Sequence, residues 1–185
     1  GMLLGASIAK DGQWRFPAVN EVPEKFRQCI LTFEDKRFYC HPGVDPVAML
    51  RALVKNLKNK QVISGGSTIS MQVIRLSRKK ARTVWQKLKE VILAIRLELS
   101  YSKKDILALY ASNAPFGTNV VGLDAASWRY FGRSPEQLSW GEMATLAILP
   151  NAPSLVHPGK NRDRLVKKRN QLLDKLVAEN KIDPS

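Results

Sequence analysis

Apolar residues recur at helical spacing along most of the chain. From Pro23 onward Phe26, Cys29, Ile30 and Phe33 fall three and four residues apart, which predicts a helix with Glu34 at the rim of its apolar stripe. His41-Pro42-Gly43 breaks that segment. Val47, Leu50, Leu53, Val54 and Leu57 mark a second amphipathic helix whose other face carries Arg51, Lys55 and Lys58. It runs into a polar, glycine-bearing stretch from Asn59 to Thr68. The strongest signal comes from Val84, Trp85, Leu88, Val91, Ile92, Ile95 and Leu99, which share one face and are read as a helix turned toward the core. On another face of that helix Arg82, Gln86 and Glu90 stand four apart. Ser102 with Asp105, and Ser139 with Glu142, have capping-box spacing and open two further helices, the second stopped by Pro150. A last helix is expected from about Arg162 to Glu179, carrying Leu165, Leu172 and Leu176. Only Leu3 to Phe16 alternates, around Asp11-Gly12, which predicts a short N-terminal β-hairpin. The fold class is therefore mainly α, and a length of 185 residues favours one domain.

Charge sharpens this picture because it is unevenly placed. Lys and Arg number 30 against 16 Asp and Glu, a net +14. Residues 46–104 hold 14 of the basic residues and only Glu90 and Glu98 as acids. The middle of the chain is built to meet phosphates, on nucleic acid, on lipid headgroups or on a charged substrate. No run approaches the roughly 18 apolar residues of a membrane-spanning helix, and nothing resembles a signal peptide. Gly1 before Met2, and an end at Asp183-Pro184-Ser185 just after a helical pattern, give the expectation of an excised piece whose anchor and neighbouring domains lie elsewhere. Cys29 and Cys40 make neither a metal spacing nor a disulfide framework.

Two carboxylate stations stand out in this basic setting, with Gly65-Gly66-Ser67-Thr68 between them. At the first, Glu34 sits at the edge of an apolar stripe, where lost hydration is expected to raise its pKa toward the range useful for proton transfer. The alternative is a solvated glutamate paired with Lys36 or Arg37. Asp35 and His41 are candidates to orient such a site, although a histidine before Pro-Gly also serves as a turn residue. Gly65 to Thr68 lacks the Gly-Lys-Ser/Thr ending of a P-loop. Its glycines still let backbone N–H groups approach an anion, and Gln72 and Arg75 follow at helix spacing; a flexible linker is the competing reading. The second station, Arg82, Gln86 and Glu90, could equally be a solvated face.

Taken together, these residues resemble the glycosyltransferase domain of class A penicillin-binding proteins and of monofunctional peptidoglycan glycosyltransferases. The family motif EDxxFxxHxGxD is complete in Glu34, Asp35, Phe38, His41, Gly43 and Asp45, and GGSTxxxQ in Gly65, Gly66, Ser67, Thr68 and Gln72. RKxxE survives as Lys87 and Glu90, with Gln86 in place of arginine. ILExYLN followed by FG appears as Ile106 to Ser112 with Phe116-Gly117, Ala108 and Ser112 departing from it. A fifth motif is matched by Ala125, Ala126, Tyr130, Phe131 and Gly132.

The resemblance implies a lysozyme-like, mainly helical fold, with a flexible membrane-facing jaw at residues 46–75 and a hairpin or linker at residues 1–20. It implies polymerisation of lipid II into glycan strands with release of undecaprenyl pyrophosphate, at the outer face of the bacterial cytoplasmic membrane. Carried over, Glu34 is the general base, and Glu90 stabilises the leaving pyrophosphate, directly or through a magnesium or manganese ion, or positions the acceptor. Asp35, His41, Ser67, Thr68, Gln72, Arg75, Arg82 and Lys87 bind substrate, Arg75 and Arg82 by its pyrophosphate. The implied partners are lipid II, the growing glycan, the membrane surface and a transpeptidase domain of the full-length chain. Two rivals on the same fold are a cell-wall hydrolase, which needs an acid poised on the glycosidic oxygen, and a catalytically weakened scaffold, to which Gln86, Ala108 and Ser112 point. A nucleic-acid binder lacks any recognition motif.

Overall fold

The computed structural model describes residues 12–18, 21–61, 65–78, 83–117, 119–151 and 162–183. Among them run eight α-helices: α1 (Glu24–Glu34), α2 (Pro46–Asn59), α3 (Ile69–Arg78), α4 (Val84–Ser100), α5 (Lys103–Asn113), α6 (Leu123–Phe131), α7 (Trp140–Ile148) and α8 (Arg162–Ala178). The mainly helical expectation holds. Residues 1–11, the first arm of the expected hairpin, lie outside the described residues. On the other arm Trp14 makes an isolated bridge to Val120, its N–H donating to the Asn119 carbonyl at 2.7 Å.

The chain divides into two compact units, one of residues 1–33 and 111–185 and one of residues 34–110. In the first, Phe26 and Ile30 of α1 are fully buried, as are Phe116, Leu138, Met143, Leu146 and Leu176. The Phe26 and Phe116 rings lie 6.1 Å apart. Ser139 and Glu142 form the expected capping box at the start of α7, and the helix ends before Pro150. Leu172 and Leu176 are the buried positions of α8.

The second unit holds α2, α3, α4 and most of α5. Its helix starts are fixed by side-chain caps: Asp45 accepts from the Ala48 N–H at 2.9 Å, Thr68 from Met71 at 3.2 Å and Thr83 from Gln86 at 3.2 Å. Ser102 and Asp105 bond reciprocally at the start of α5. One expectation is reversed. Trp85, Leu88, Ile92, Ile95 and Leu99 of α4 are exposed, Leu99 at 84%, whereas Ala94 is fully buried and Gln86, Glu90 and Leu97 are partly so. The inner face of α4 is thus the one that carries the polar line, and the apolar stripe looks outward. On α2, Val47, Leu50, Leu53, Val54 and Leu57 are exposed in the same way. Among the described residues no helix is long and apolar enough to cross a membrane.

Candidate active site

The motif glycines explain how the second unit closes on itself. Gly43 has φ +92°, and a Cβ there would sit 2.6 Å from the Ala94 carbonyl oxygen, so backbone packs directly on α4. A Cβ on Gly66 would lie 2.7 Å from the Met49 Cα, so the loop lies tight against α2. Gly65 meets nothing within 4 Å. The Thr68 hydroxyl donates to the Gly43 carbonyl at 2.6 Å, which fastens the second motif to the first.

Glu34 is half-buried at the last position of α1, and its Oε2 accepts from Gln72 Nε2 at 3.0 Å. Beside it Asp35 is buried. One of its oxygens lies 3.0 Å from His41 Nε2, and the other accepts the N–H of Ile69 at 3.1 Å, at the first turn of α3. A carboxylate suits that end of the helix, where free N–H groups carry partial positive charge. His41 is not merely a turn residue. Its Nδ1 is buried without a hydrogen-bond partner among the described residues, so the Nε2–H tautomer, donating to Asp35, is the one that leaves no donor unpaired. Phe38 packs its ring edge against His41 and is fully buried.

Across from this station, Arg75 Nε stands 3.4 Å from Glu90 Oε1, both side chains largely buried. The acidic residue of the third motif and the basic residue after the second therefore face one another, as spacing alone could not tell. Gln86 lies on the same inner face of α4, half-buried. Arg82 lies outside the described residues. Ser67 is half-buried, and Lys87 is exposed at the rim of an open groove of about 460 Å³ lined by Pro46, Met49, Leu50, Leu53 and Gly66.

Tyr110 of α5 was legible only as a motif residue, not as part of the site. Its hydroxyl is fully buried with no hydrogen-bond partner among the described residues. Burial pushes it well above its usual range, the charge of Glu34 pushes the same way and Arg75 opposes. The phenol thus stays protonated beside these two charges. Arg37, weighed above as a partner for Glu34, instead forks onto Asp45 with Nε to Oδ2 at 2.9 Å, and this pair holds the Asp45 carboxyl down at about 2. No group of three His, Cys, Asp or Glu side chains able to hold a metal occurs among the described residues.

Over 170 residues the chain is 41% identical to penicillin-binding protein 1C of Escherichia coli K12, covering 91% of this chain and 22% of that protein. It is 39% identical over 178 residues to penicillin-binding protein 1A of the same strain, covering 95% of this chain and 21% of the relative. Penicillin-binding protein 1A of Aquifex aeolicus is 35% identical over 170 residues, covering 91% and 23%. The chain therefore spans less than a quarter of the length of these relatives. A transglycosylase family model matches residues 3–177, nearly the whole chain, and the protein belongs to the transglycosylase family.

Proposed function

We propose that this chain is a peptidoglycan glycosyltransferase on a lysozyme-like fold, polymerising lipid II into glycan strands with release of undecaprenyl pyrophosphate. The observation that carries this is the pairing of stations in the second unit: Glu34 held by Gln72 from α3, and Arg75 with Glu90 a turn further along the same helix. Glu34 takes the proton from the attacking 4-hydroxyl of one sugar as the oxygen bonds to the anomeric carbon of the growing chain. The bond to pyrophosphate breaks with its electron pair on the phosphate oxygen. Arg75 and Arg82 stabilise that growing negative charge, since preorganised cations lower such a barrier and guanidinium forks suit phosphate oxygens. Asp35 and His41 hold the loop that follows Glu34, buried Thr68 acts on the substrate only indirectly by fastening α3 to Gly43, and Ser67 and Lys87 line the approach of the substrate.

Glu90 pairs with Arg75 in the resting site and supplies one carboxylate. Glu90 is the residue that would hold a magnesium or manganese ion arriving with the pyrophosphate, and such an ion would supply charge neutralisation at the leaving group. The basic jaw of residues 46–75, with the exposed stripes of α2 and α4, supports a position on an anionic bilayer surface. In this reading the chain works at the outer face of the bacterial cytoplasmic membrane, as one domain of a longer protein that also carries a transpeptidase domain. A hydrolase is less well served, because Glu90 faces a guanidinium rather than a site for a second carboxylate beside a glycosidic oxygen.

Turnover of purified lipid II by this chain tests the proposal. Glycan product that disappears in Glu34→Gln is expected; a folded chain that makes none, or that digests sacculi instead, refutes it.

A further inference from the structure

Lys103, the first residue of α5, carries three N–H donors and meets two oxygens and one aromatic ring. Its Nζ lies 2.7 Å from the His41 carbonyl oxygen, 2.8 Å from Glu98 Oε1 and 4.4 Å from the centre of the Phe38 ring. Glu98 of α4 is 7% exposed at its side chain, and the same Oε1 accepts from the Ser70 hydroxyl at 2.5 Å. Ser70 is fully buried on α3. A closed circuit results: Ser70 to Glu98, Glu98 to Lys103, Lys103 to the His41 carbonyl, His41 to Asp35, and Asp35 to the Ile69 N–H beside Ser70. Lys103 and Glu98 stand outside the motif residues named above, yet Lys103 grips two residues of the first motif, Phe38 and His41, and Glu98 ties Lys103 to Ser70 of α3.

Stability alone does not account for such a pair. Removing two charges from water is costly, and well-packed apolar side chains of similar volume often serve as well or better. An apolar pair cannot, however, donate to a loop carbonyl and accept from a helix serine at once. We propose that Lys103 and Glu98 are positioning residues: by joining the His41 carbonyl to Ser70 of α3, they hold the Asp35–His41 loop at the register in which Gln72 reaches Glu34. Its activity readout rests on the glycosyltransferase reading; its structural readout does not.

The experiment compares Lys103→Met, Glu98→Leu and the double variant. Lys103→Met leaves the largely buried Glu98 carboxylate without its cation and lowers the melting temperature; Glu98→Leu leaves the partly exposed Lys103 ammonium only the His41 carbonyl and lowers it less. The double variant removes both charges, so its melting temperature returns toward wild type. Positioning is still lost in it: the slow exchange of the Ile69 amide disappears, the ring N–H resonance of His41 shifts, and kcat for lipid II falls roughly ten- to a hundredfold with KM little changed. A double variant with wild-type kcat and a protected Ile69 amide overturns the proposal. Should wild type itself fail to turn over, the glycosyltransferase reading falls, while the Ile69 and His41 signals still decide this one. If the double variant does not fold, Ser70→Ala breaks the circuit without burying a charge. The same split in kcat, smaller in size, supports the proposal there, and unchanged kcat and Ile69 protection refute it.

Discussion

The Gln72 side chain donates to Glu34 at 3.0 Å, so the carboxylate that ends α1 is aimed by the opening of α3. That gives two changes a fixed order of severity. Glu34→Gln should abolish polymerisation, by about 10² to 10⁴ in rate, with unchanged helical content, because it removes a base without emptying volume. Gln72→Leu should cost less, since the base remains and only its aim is lost. Product formation from lipid II under equal enzyme loading measures both. A Gln72→Leu variant as inactive as Glu34→Gln would mean that the amide itself touches the reacting groups.

The exposed stripe of α4 predicts an outcome opposite to that for a core helix. Leu88→Ser with Ile92→Ser should leave the unfolding free energy within about 1 kcal/mol of wild type, the usual range for two exposed positions, yet weaken partition into anionic vesicles. Charge reversal at Arg51, Lys55 and Lys58 should remove the preference for anionic over neutral vesicles, each cation near such a surface being worth on the order of 1 kcal/mol. Vesicle co-sedimentation reads both. Unfolding of the double serine variant would restore the core-facing reading of α4.

Asp45 makes acid stability measurable. It caps α2 and receives the Arg37 fork, which with the Ala48 N–H holds its carboxyl at about 2 in the folded chain against an ordinary 3.8. A carboxyl depressed by folding stabilises fully above its ordinary value and loses that contribution as pH falls through the window from about 4 to about 2. Melting temperatures followed across that window should fall more steeply in wild type than in Asp45→Asn, which keeps a capping oxygen but cannot titrate. Parallel curves would show that another carboxylate governs acid unfolding.

How much of this was legible in the sequence differs from residue to residue. Helix positions followed from apolar spacing and caps: Pro46–Asn59, Val84–Ser100 and the two capping boxes stand where the pattern puts them. Periodicity fixes the phase of a stripe but not what covers it, so α4 could be located and still be turned the wrong way. The side that packs inward there is short of large apolar residues because it carries Glu90 and Glu98, whose partners Arg75, Ser70 and Lys103 come from α3 and α5. Such partners are set by tertiary contact, which no local spacing records. Asp35 and His41 were each candidates to orient the site; that they would pair with one another, and that Asp35 would also take the Ile69 N–H, was not legible.

The resting pair of Arg75 and Glu90 makes the last prediction, because a side chain that is to grip a pyrophosphate here first has to leave a carboxylate. At 3.4 Å the two sit within ion-pair range but short of a good hydrogen bond, so no well-formed hydrogen bond has to break before the guanidinium turns to a phosphate. Arg75→Ala should lower both donor affinity and kcat, since the leaving group is anionic when bound and more so in the transition state. Lysine at that position should restore only part, offering a point charge without the fork. Arg82→Ala should show the same pattern, and Gln86→Arg, which returns the family's cation to the inner face of α4, should raise turnover or leave it unchanged. Glu90→Gln separates the two roles of the acid. If Glu90 only restrains Arg75, the variant binds pyrophosphate more tightly and keeps its kcat. If it acts on the departing group, binding holds and kcat falls. Steady-state kinetics with pyrophosphate-analogue inhibition reads both, and normal turnover by Arg75→Ala would remove the guanidinium from the mechanism altogether.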